Sequence, residues 1–290
     1  MGRIVRALSD DGSVLCSAID STDIVREVQR LHETTPAVTA ALGRMSTAGS
    51  IMGAMLKYEG DTLTLRINGG GPCGTLTVVS DYRGNVKCCA GNAQAAVPVR
   101  PDGSLDVAGC VGKDGFLTVV KDMGLKEPYV GQIPLVSGNI AEDITAYYNV
   151  SEQIPTVLSL GIVFDENAGV KAAGGFMVQL VPPIRDGAVD IIERNLSKME
   201  SITAMLEKSL PPEEIAAAAL EGLGAEILDS WDARYFCDCS RERTEQIIIS
   251  LGREEIEKLA AEQKETEVCC HFCNKKYRFS AEEMLNLLKE

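Results

Sequence analysis

Histidine is scarce in this chain, and long apolar runs and excess positive charge are missing. His32 and His271 are the only two histidines, so a histidine-based catalytic relay has little to work with. No apolar run reaches the ~20 residues of a membrane span, and the N-terminus lacks the apolar stretch of a signal peptide. Lys and Arg number 28 against 42 Asp and Glu, a net charge of −14. This charge argues against a nucleic-acid backbone as the main partner.

Apolar residues and cysteines, by contrast, are plentiful. The chain is 45% hydrophobic and 24% charged, a composition that predicts a soluble globular protein with a substantial core. With 290 residues, two domains and a connector are expected rather than one core. Ten cysteines in a chain without an evident export signal favour a reducing cytoplasm, where they serve as thiols, ligands or switches.

Four of the cysteines form two close pairs near the C-terminus, Cys237-x-Cys239 and Cys270-x-x-Cys273. In an extended segment, side chains i and i+2 point to the same side, so the first pair can share one metal ion. A CxxC turn is the usual half of a structural zinc site, and four thiolates can surround one tetrahedral zinc at about 2.3 Å. The spacing therefore predicts one zinc ion held by these four cysteines.

Residues 1–181 are expected to form an α+β domain, because predicted strands and helices are mixed without regular β–α–β alternation. The small residues of the helix predicted over 35–57 indicate that it packs closely in the core. Strands are predicted within 3–19, 62–68, 75–82, 116–136, 156–164 and 170–180, and helices from residue 23, over 35–57 and over 139–148.

Two glycine-rich stretches of this domain, 69–74 and 111–115, resemble phosphate-binding loops in composition. Such a loop needs a following helix and a Gly-Lys-Ser/Thr ending, but strand-like sequence follows both stretches. A turn between strands is therefore predicted at 69–74. The remaining cysteines of the domain lack metal-ligand spacing and are interpreted as small, mostly buried apolar residues; they are Cys16, Cys73, Cys88, Cys89 and Cys110.

Residues 182–232 are interpreted as a helical connector that begins at Pro182-Pro183. Helices are predicted over 188–208 and 213–223, the first with an apolar stripe. Their amphipathic character indicates docking on a partner surface, and their polar faces and short lengths indicate docking of modest stability. An ordinary helical hairpin of the core is the alternative.

Residues 233–290 are expected to form a small module whose folding depends on zinc. Helices are predicted from Ser240 and over 253–263, and Ser280 with Glu283 forms a capping box for a last helix. Basic residues surround the cysteines, and cations favour the thiolate that oxidants attack; they are Arg234, Arg241, Arg243, Lys275, Lys276 and Arg278. The alternative is that they are solvated surface charges.

The sequence FCDCSRERTEQ…SLG…EVCCHFCNKKYRF resembles the signature of the heat-shock protein 33 family, redox-regulated holdase chaperones of bacteria. The resemblance covers nearly the whole chain. Further matching stretches are Arg6–Leu8, Thr39–Arg44, Val111–Lys113, Lys126–Tyr129, Leu135–Gly138, Ser151–Gln153 and Ala172–Phe176.

The resemblance implies a non-enzymatic, ATP-independent chaperone that is controlled by oxidation. When reduced, Cys237, Cys239, Cys270 and Cys273 would hold zinc and the protein would be inactive. Peroxide with unfolding stress, or hypochlorous acid, would form Cys237–Cys239 and Cys270–Cys273 disulfides and release the zinc. The connector would then unfold, and the protein would dimerise and hold unfolded client proteins. Cys269, directly before the CxxC, leaves this pairing open, since it can form another disulfide or replace a ligand.

Two other classes of function stay open at this point. A zinc ribbon would bind nucleic acid through its basic residues, with Tyr277 or Phe279 stacking on bases. Residues 233–290, however, carry 10 Lys and Arg against 12 Asp and Glu, a balance that disfavours such binding. A thiol–disulfide oxidoreductase would normally use one CxxC at a helix start rather than two clustered pairs.

Overall fold

The structure is a computed structural model that describes residues 1–288. The chain divides into two compact units, Met1–Phe236 and Cys237–Glu290. The strands of the larger unit are β1 (Gly2–Leu8), β2 (Val14–Asp20), β3 (Thr62–Asn68), β4 (Leu76–Asp81), β5 (Val86–Ala90), β6 (Phe116–Asp122), β7 (Tyr129–Pro134), β8 (Thr156–Phe164), β9 (Val170–Leu180) and β10 (Glu226–Ala233). Its helices are α1 (Thr22–His32), α2 (Pro36–Gly53), α3 (Val107–Val111), α4 (Ile140–Tyr147), a π-helix (Tyr148–Glu152), α5 (Ala188–Lys198), α6 (Ile202–Glu207) and α7 (Pro212–Ala219).

The larger unit contains two five-stranded antiparallel sheets, ordered β10-β1-β2-β9-β8 and β5-β4-β3-β6-β7. This mixture of sheets and helices confirms the α+β prediction. The hairpins β1–β2, β3–β4 and β8–β9 lie where alternating sequence and turn residues predict them. Among the described residues, none of the helices is long and apolar enough to cross a membrane.

Helix α2 is the centre of the main core and contacts strands of both sheets. It is buried on nearly every side, as its small residues predict. A Cβ atom on Gly43 would lie 2.6 Å from the Ile162 side chain, and one on Gly49 would lie 2.8 Å from Val78. Real Cβ contacts are not that short, so glycine at these positions lets strands approach the helix backbone.

Helix α6 packs on β8 and β9, α7 packs on β1, β2 and β9, and α5 packs on α7. Together with these strands they form a second apolar cluster, which includes Cys16, Phe176, Ile192, Met205, Leu206, Ile215 and Leu223. The prediction of a single helix over 188–208 is wrong. The backbone is extended at Met199, and Ser201 then caps α6 by accepting a hydrogen bond from the amide of Ala204.

Residues 226–233, for which the sequence pattern predicts no element, form the edge strand β10. It pairs antiparallel with β1 from the opposite end of the chain. Arg6 links the two strands, since its guanidinium donates to Asp229 and lies over the Trp231 ring at 5.0 Å. Because β10 gains its stability from a distant partner, local sequence alone does not reveal it.

The smaller unit contains α8 (Arg241–Ser250), α9 (Arg253–Glu262), β11 (Glu265–Cys269), β12 (Lys276–Ser280) and α10 (Ala281–Asn286). Both predicted helices after Ser240 are present, and the Ser280–Glu283 capping box is confirmed. Strands β11 and β12 form an antiparallel hairpin. The buried apolar residues of this unit are few: Ile248, Ile256, Tyr277, Phe279 and Met284. Domains of this size commonly need a metal or disulfides to supplement so small a core.

Candidate metal centre

The first cysteine pair, Cys237 and Cys239, lies directly before helix α8. The helix begins after Ser240, whose hydroxyl accepts a hydrogen bond from the amide of Arg243 at 3.2 Å. The Arg243 side chain turns back to form an ion pair with Asp238, the residue between the two cysteines. Helix capping and this ion pair therefore hold the CxC segment against the start of α8.

The second pair, Cys270 and Cys273, lies in the turn that joins β11 to β12. The amide of Cys270 donates to the carbonyl of Lys275 at 2.9 Å, and the amide of Asn274 donates to the carbonyl of Cys270 at 2.8 Å. Asn274 has a φ of 58°, in the left-handed region that asparagine adopts more readily than most residues. The hairpin thus fixes the backbone on both sides of the CxxC turn.

The four sulfur atoms come together as the sequence spacing predicts. Those of Cys237 and Cys270 are 3.7 Å apart, and those of Cys239 and Cys273 are 3.3 Å apart. All four lie within 4.8 Å of one another. Four sulfurs placed tetrahedrally at about 2.3 Å from one zinc ion would be about 3.8 Å from each other. The cluster therefore has the dimensions that a tetrahedral metal ion needs.

The pKa values of three of the thiols are shifted by burial, by the neighbouring thiols and by one phenol. Burial raises the pKa of Cys237 to about 11 and also raises the pKa of Cys273. At Cys239 burial acts in the same direction, but hydrogen bonds from Tyr277 and the neighbouring thiols outweigh it and lower the pKa. The Tyr277 hydroxyl lies 3.2 Å from the Cys239 sulfur. Cys239 is therefore better prepared to ionise than Cys237 or Cys273, from which a metal must displace protons.

The basic residues of this unit are engaged mainly by carboxylates. Arg241 pairs with Glu283 at 2.7 Å and its guanidinium lies 4.3 Å from the centre of the Phe279 ring. Arg243 pairs with Asp238, Lys276 pairs with Glu267, and Arg278 pairs with Glu265 and Glu267. Lys275 lies over the Tyr277 ring, and Arg234, in the larger unit, lies over the Phe236 ring. These ion pairs offset much of the positive charge that the sequence places near the cysteines.

Cys269 lies outside the cluster. Its side chain is exposed, and its sulfur lies 4.0 Å from the carbonyl oxygen of Cys270. The sulfur of Cys270, by contrast, is one of the four that meet. Cys269 is the last residue of β11, whereas Cys270 begins the turn that carries its sulfur into the cluster. The geometry therefore favours Cys270 as the ligand.

The two aromatic residues on which a nucleic-acid-binding zinc ribbon would stack bases are buried. Tyr277 is 7% exposed and Phe279 is fully enclosed in the small core. Neither ring has a free face on which a base could stack. The hydrogen bond from Tyr277 to Cys239 was not anticipated from the sequence; a phenol four residues after the CxxC was the only available signal.

Comparison with known proteins gives a consistent result. A family model described as "Hsp33 protein" matches residues 2–280. The 33 kDa chaperonin of Clostridioides difficile (strain 630) is 46% identical over 287 residues, covering 99% of this chain and 98% of that protein. The 33 kDa chaperonin of Alkaliphilus metalliredigens (strain QYMF) is 43% identical over 289 residues, covering 99% of each. The crystal structure of the 33 kDa chaperonin (heat shock protein 33 homolog) of Thermotoga maritima matches with a TM-score of 0.88 at 34% identity, covering 99% of this chain and 97% of that one.

Proposed function

Because the chain belongs to the Hsp33 family of chaperones, which are not enzymes, we propose that it is a redox-regulated holdase. Reduced and zinc-bound, the protein is inactive; oxidised, it holds unfolded client proteins without ATP. The observation that carries the proposal is the cluster of four sulfurs within 4.8 Å of one another. A thiolate cluster of this kind both binds metal and reacts with oxidants.

The proposed metal is one zinc ion, held by Cys237, Cys239, Cys270 and Cys273. Four thiolates in a tetrahedral arrangement suit zinc, which is redox-inert and has no geometric preference of its own. Zinc, when bound, holds all four sulfurs as thiolates and joins the CxC segment to the hairpin. In zinc-finger peptides such binding contributes about 10–16 kcal/mol to folding at neutral pH. The small core of this unit makes that contribution decisive.

Activation is proposed to begin with oxidation of the four thiolates. Two disulfides form, four electrons pass to peroxide or hypochlorous acid, and the zinc ion is released because disulfide sulfurs no longer serve as ligands. The proposed pairing, Cys237 with Cys239 and Cys270 with Cys273, rests on the family resemblance. The shortest sulfur contacts of the structure, by comparison, join the two motifs. A CxC disulfide closes a very small, strained ring and is readily reduced again, which suits a reversible switch.

The connector is proposed to transmit this change. We divide the chain into a core (1–181), a connector (182–232) and a zinc module (233–290). The connector helices α5, α6 and α7 are short; α6 and α7 cover strands of the larger unit, and α5 packs on α7 within the same apolar cluster. Short helices that depend on packing are among the first segments to unfold. Their release would expose the apolar cluster beneath them to clients.

The proposed setting is the cytoplasm, and the proposed active form is a homodimer. Clients are unfolded proteins, and neither nucleic acid nor membranes are proposed partners. The buried rings of Tyr277 and Phe279 speak against a base-stacking zinc ribbon. The position of Cys270 and Cys273 between two strands, rather than at a helix start, speaks against a thiol–disulfide oxidoreductase.

An aggregation assay tests the proposal. A chemically unfolded client is diluted into zinc-loaded reduced protein or into protein treated with peroxide at mild heat, and light scattering and zinc release are recorded together. We expect only the oxidised protein to suppress scattering, without ATP and in step with zinc release. Equal suppression by both samples, with zinc retained, would reduce the metal to a structural role.

A further inference from the structure

Two cysteines outside the metal centre, Cys73 and Cys110, also meet in the fold. Cys73 lies in the glycine-rich loop 69–74 between β3 and β4, and Cys110 lies in α3. The amide of Cys73 donates to the carbonyl of Cys110 at 3.2 Å. Both side chains are fully buried in the main core of the larger unit.

The glycines of the loop place it directly on the end of α3. A Cβ atom on Gly71 would lie 2.4 Å from the carbonyl oxygen of Cys110, and one on Gly69 would lie 2.3 Å from that of Gly112. No other residue type fits at such distances. The contact between the two segments is therefore a fixed feature of the fold, and the two cysteines cannot drift apart without breaking it.

The two thiols belong to the same buried core and affect each other's pKa. The neighbouring Cys110 thiol and burial raise the pKa of Cys73, while the neighbouring Cys73 thiol lowers the pKa of Cys110. Cys16, another fully buried cysteine of this unit, differs, because burial alone raises its pKa to about 12. Within the pair, Cys110 is thus the thiol that ionises first.

We propose that Cys73 and Cys110 are a second redox site, a buried dithiol that hydrogen peroxide converts to a disulfide inside the larger unit. In the first step the Cys110 thiolate attacks one peroxide oxygen, giving a sulfenic acid and hydroxide. The Cys73 sulfur then attacks the sulfenic sulfur, and the second oxygen leaves as water. The two thiols lose two electrons and two protons, and the peroxide becomes two water molecules.

The backbone geometry suits this bond. The amide of Cys73 bonds directly to the carbonyl of Cys110, so the backbones of the two residues are adjacent, as a disulfide with a Cα–Cα span of roughly 4.4–6.8 Å requires. Both side chains lie in the same core, so side-chain rotation is the main movement that we expect the bond to require. No metal is involved, because two thiols alone do not make a zinc site.

Burial sets the rate of the reaction. Oxidant reaches the pair only when the loop 69–74 opens transiently, whereas the cysteines of the metal centre are all partly exposed. The buried pair should therefore oxidise more slowly than zinc is released, and faster at mild heat. Once formed, the crosslink restrains the unfolded chain between residues 73 and 110 and should raise the thermal unfolding midpoint of the larger unit.

Peptide mapping of the whole protein tests the proposal. Zinc-loaded protein is treated with hydrogen peroxide at mild heat, its remaining thiols are blocked under acidic denaturing conditions, and it is digested without reductant. A protease that cuts before aspartate separates peptides 61–80 and 106–113, each with a single cysteine. We expect a disulfide-linked pair of these peptides, formed later than zinc release. Six thiols remain if only the metal centre oxidises, and four if the buried pair reacts too.

Variants identify the partners and separate this proposal from the zinc switch. Cys73→Ala and Cys110→Ala should each abolish the linked peptides, whereas the buried-thiol control Cys16→Ala should keep them. The proposal is overturned if both cysteines are recovered blocked from wild-type protein that has released its zinc, or if either is joined mainly to another cysteine. Zinc release is measured in the same samples, so the proposed zinc switch is tested independently of the buried Cys73–Cys110 pair.

Discussion

Removing one oxygen atom tests the hydrogen bond that Tyr277 donates in the metal centre. Its hydroxyl donates to Cys239 at 3.2 Å, and such bonds to a ligand commonly alter metal affinity by about 10–100-fold. Tyr277→Phe keeps the ring in the small core and removes only the donor. We expect zinc affinity to fall by about tenfold or more, as measured by competition with a chromogenic chelator.

A tyrosine of the larger unit provides the control for this variant. The Tyr82 hydroxyl accepts a hydrogen bond from Arg83 at 2.9 Å and belongs to no metal centre. Tyr82→Phe should leave zinc affinity unchanged. An unchanged affinity in Tyr277→Phe as well would show that the phenol has no role in holding Cys239 as a thiolate.

The neighbours Cys269 and Cys270 test the ligand assignment. Cys270→Ser should abolish stoichiometric zinc binding, because it removes one of the four sulfurs that meet. Cys269→Ser should bind one zinc ion as the wild type does, because its sulfur is not one of the four that meet. Metal analysis after gel filtration measures both. Loss of zinc from Cys269→Ser, with retention by Cys270→Ser, would reverse the assignment.

At the scale of single residues, the sequence predicts the four-cysteine cluster but not the contacts that the rest of the chain makes with it. The four cysteines can be recognised from spacing alone, because a metal site requires two ligands close together in each of the two motifs, CxC and CxxC. The contact between Tyr277 and Cys239 depends on how β12 packs against the CxC segment, and the meeting of Cys73 with Cys110 depends on a loop and a helix far apart in sequence. No local pattern encodes either contact.

Secondary-structure elements were predictable where their stability is local. The hairpin β8–β9 and helix α2 follow from alternation and from a run of small apolar residues. Strand β10 was missed because its partner β1 lies at the other end of the chain. The break between α5 and α6 was missed because the apolar stripe continues through Met199, although Ser201 starts a new helix.

The connector helices should control when the chaperone becomes active. Ile215 of α7 is 1% exposed and packs in the apolar cluster beneath the connector. Ile215→Ala leaves a cavity that costs about 2–5 kcal/mol, so the connector should release more easily. We expect this variant to suppress client aggregation at lower peroxide doses than the wild type, or even when reduced.

Val189 of α5 offers a matched control, since its side chain is 43% exposed. Val189→Ala should change stability by no more than about 0.5 kcal/mol and leave the peroxide dose unchanged. If Ile215→Ala lowers the unfolding midpoint but needs the same dose as the wild type, connector docking does not set the threshold.

The whole molecule joins two units whose stability has different sources. The larger unit has an extensive apolar core around α2, so we expect it to fold without a metal. The smaller unit has few buried residues and four sulfurs that only a metal or disulfides can hold together. Under the proposed function, an oxidant would unfold the smaller unit and release the connector helices while the core around α2 stays folded.

Hydrogen–deuterium exchange of the full chain, read by mass spectrometry, tests this division most directly. Zinc-loaded reduced protein is compared with protein that has been oxidised until its zinc is released. We predict that amides in 237–288 and in the connector helices α5–α7 lose protection after oxidation, while β3, β4 and β6 keep theirs. Retained protection throughout 237–288 after complete zinc loss would contradict the proposed dependence of this unit on its metal.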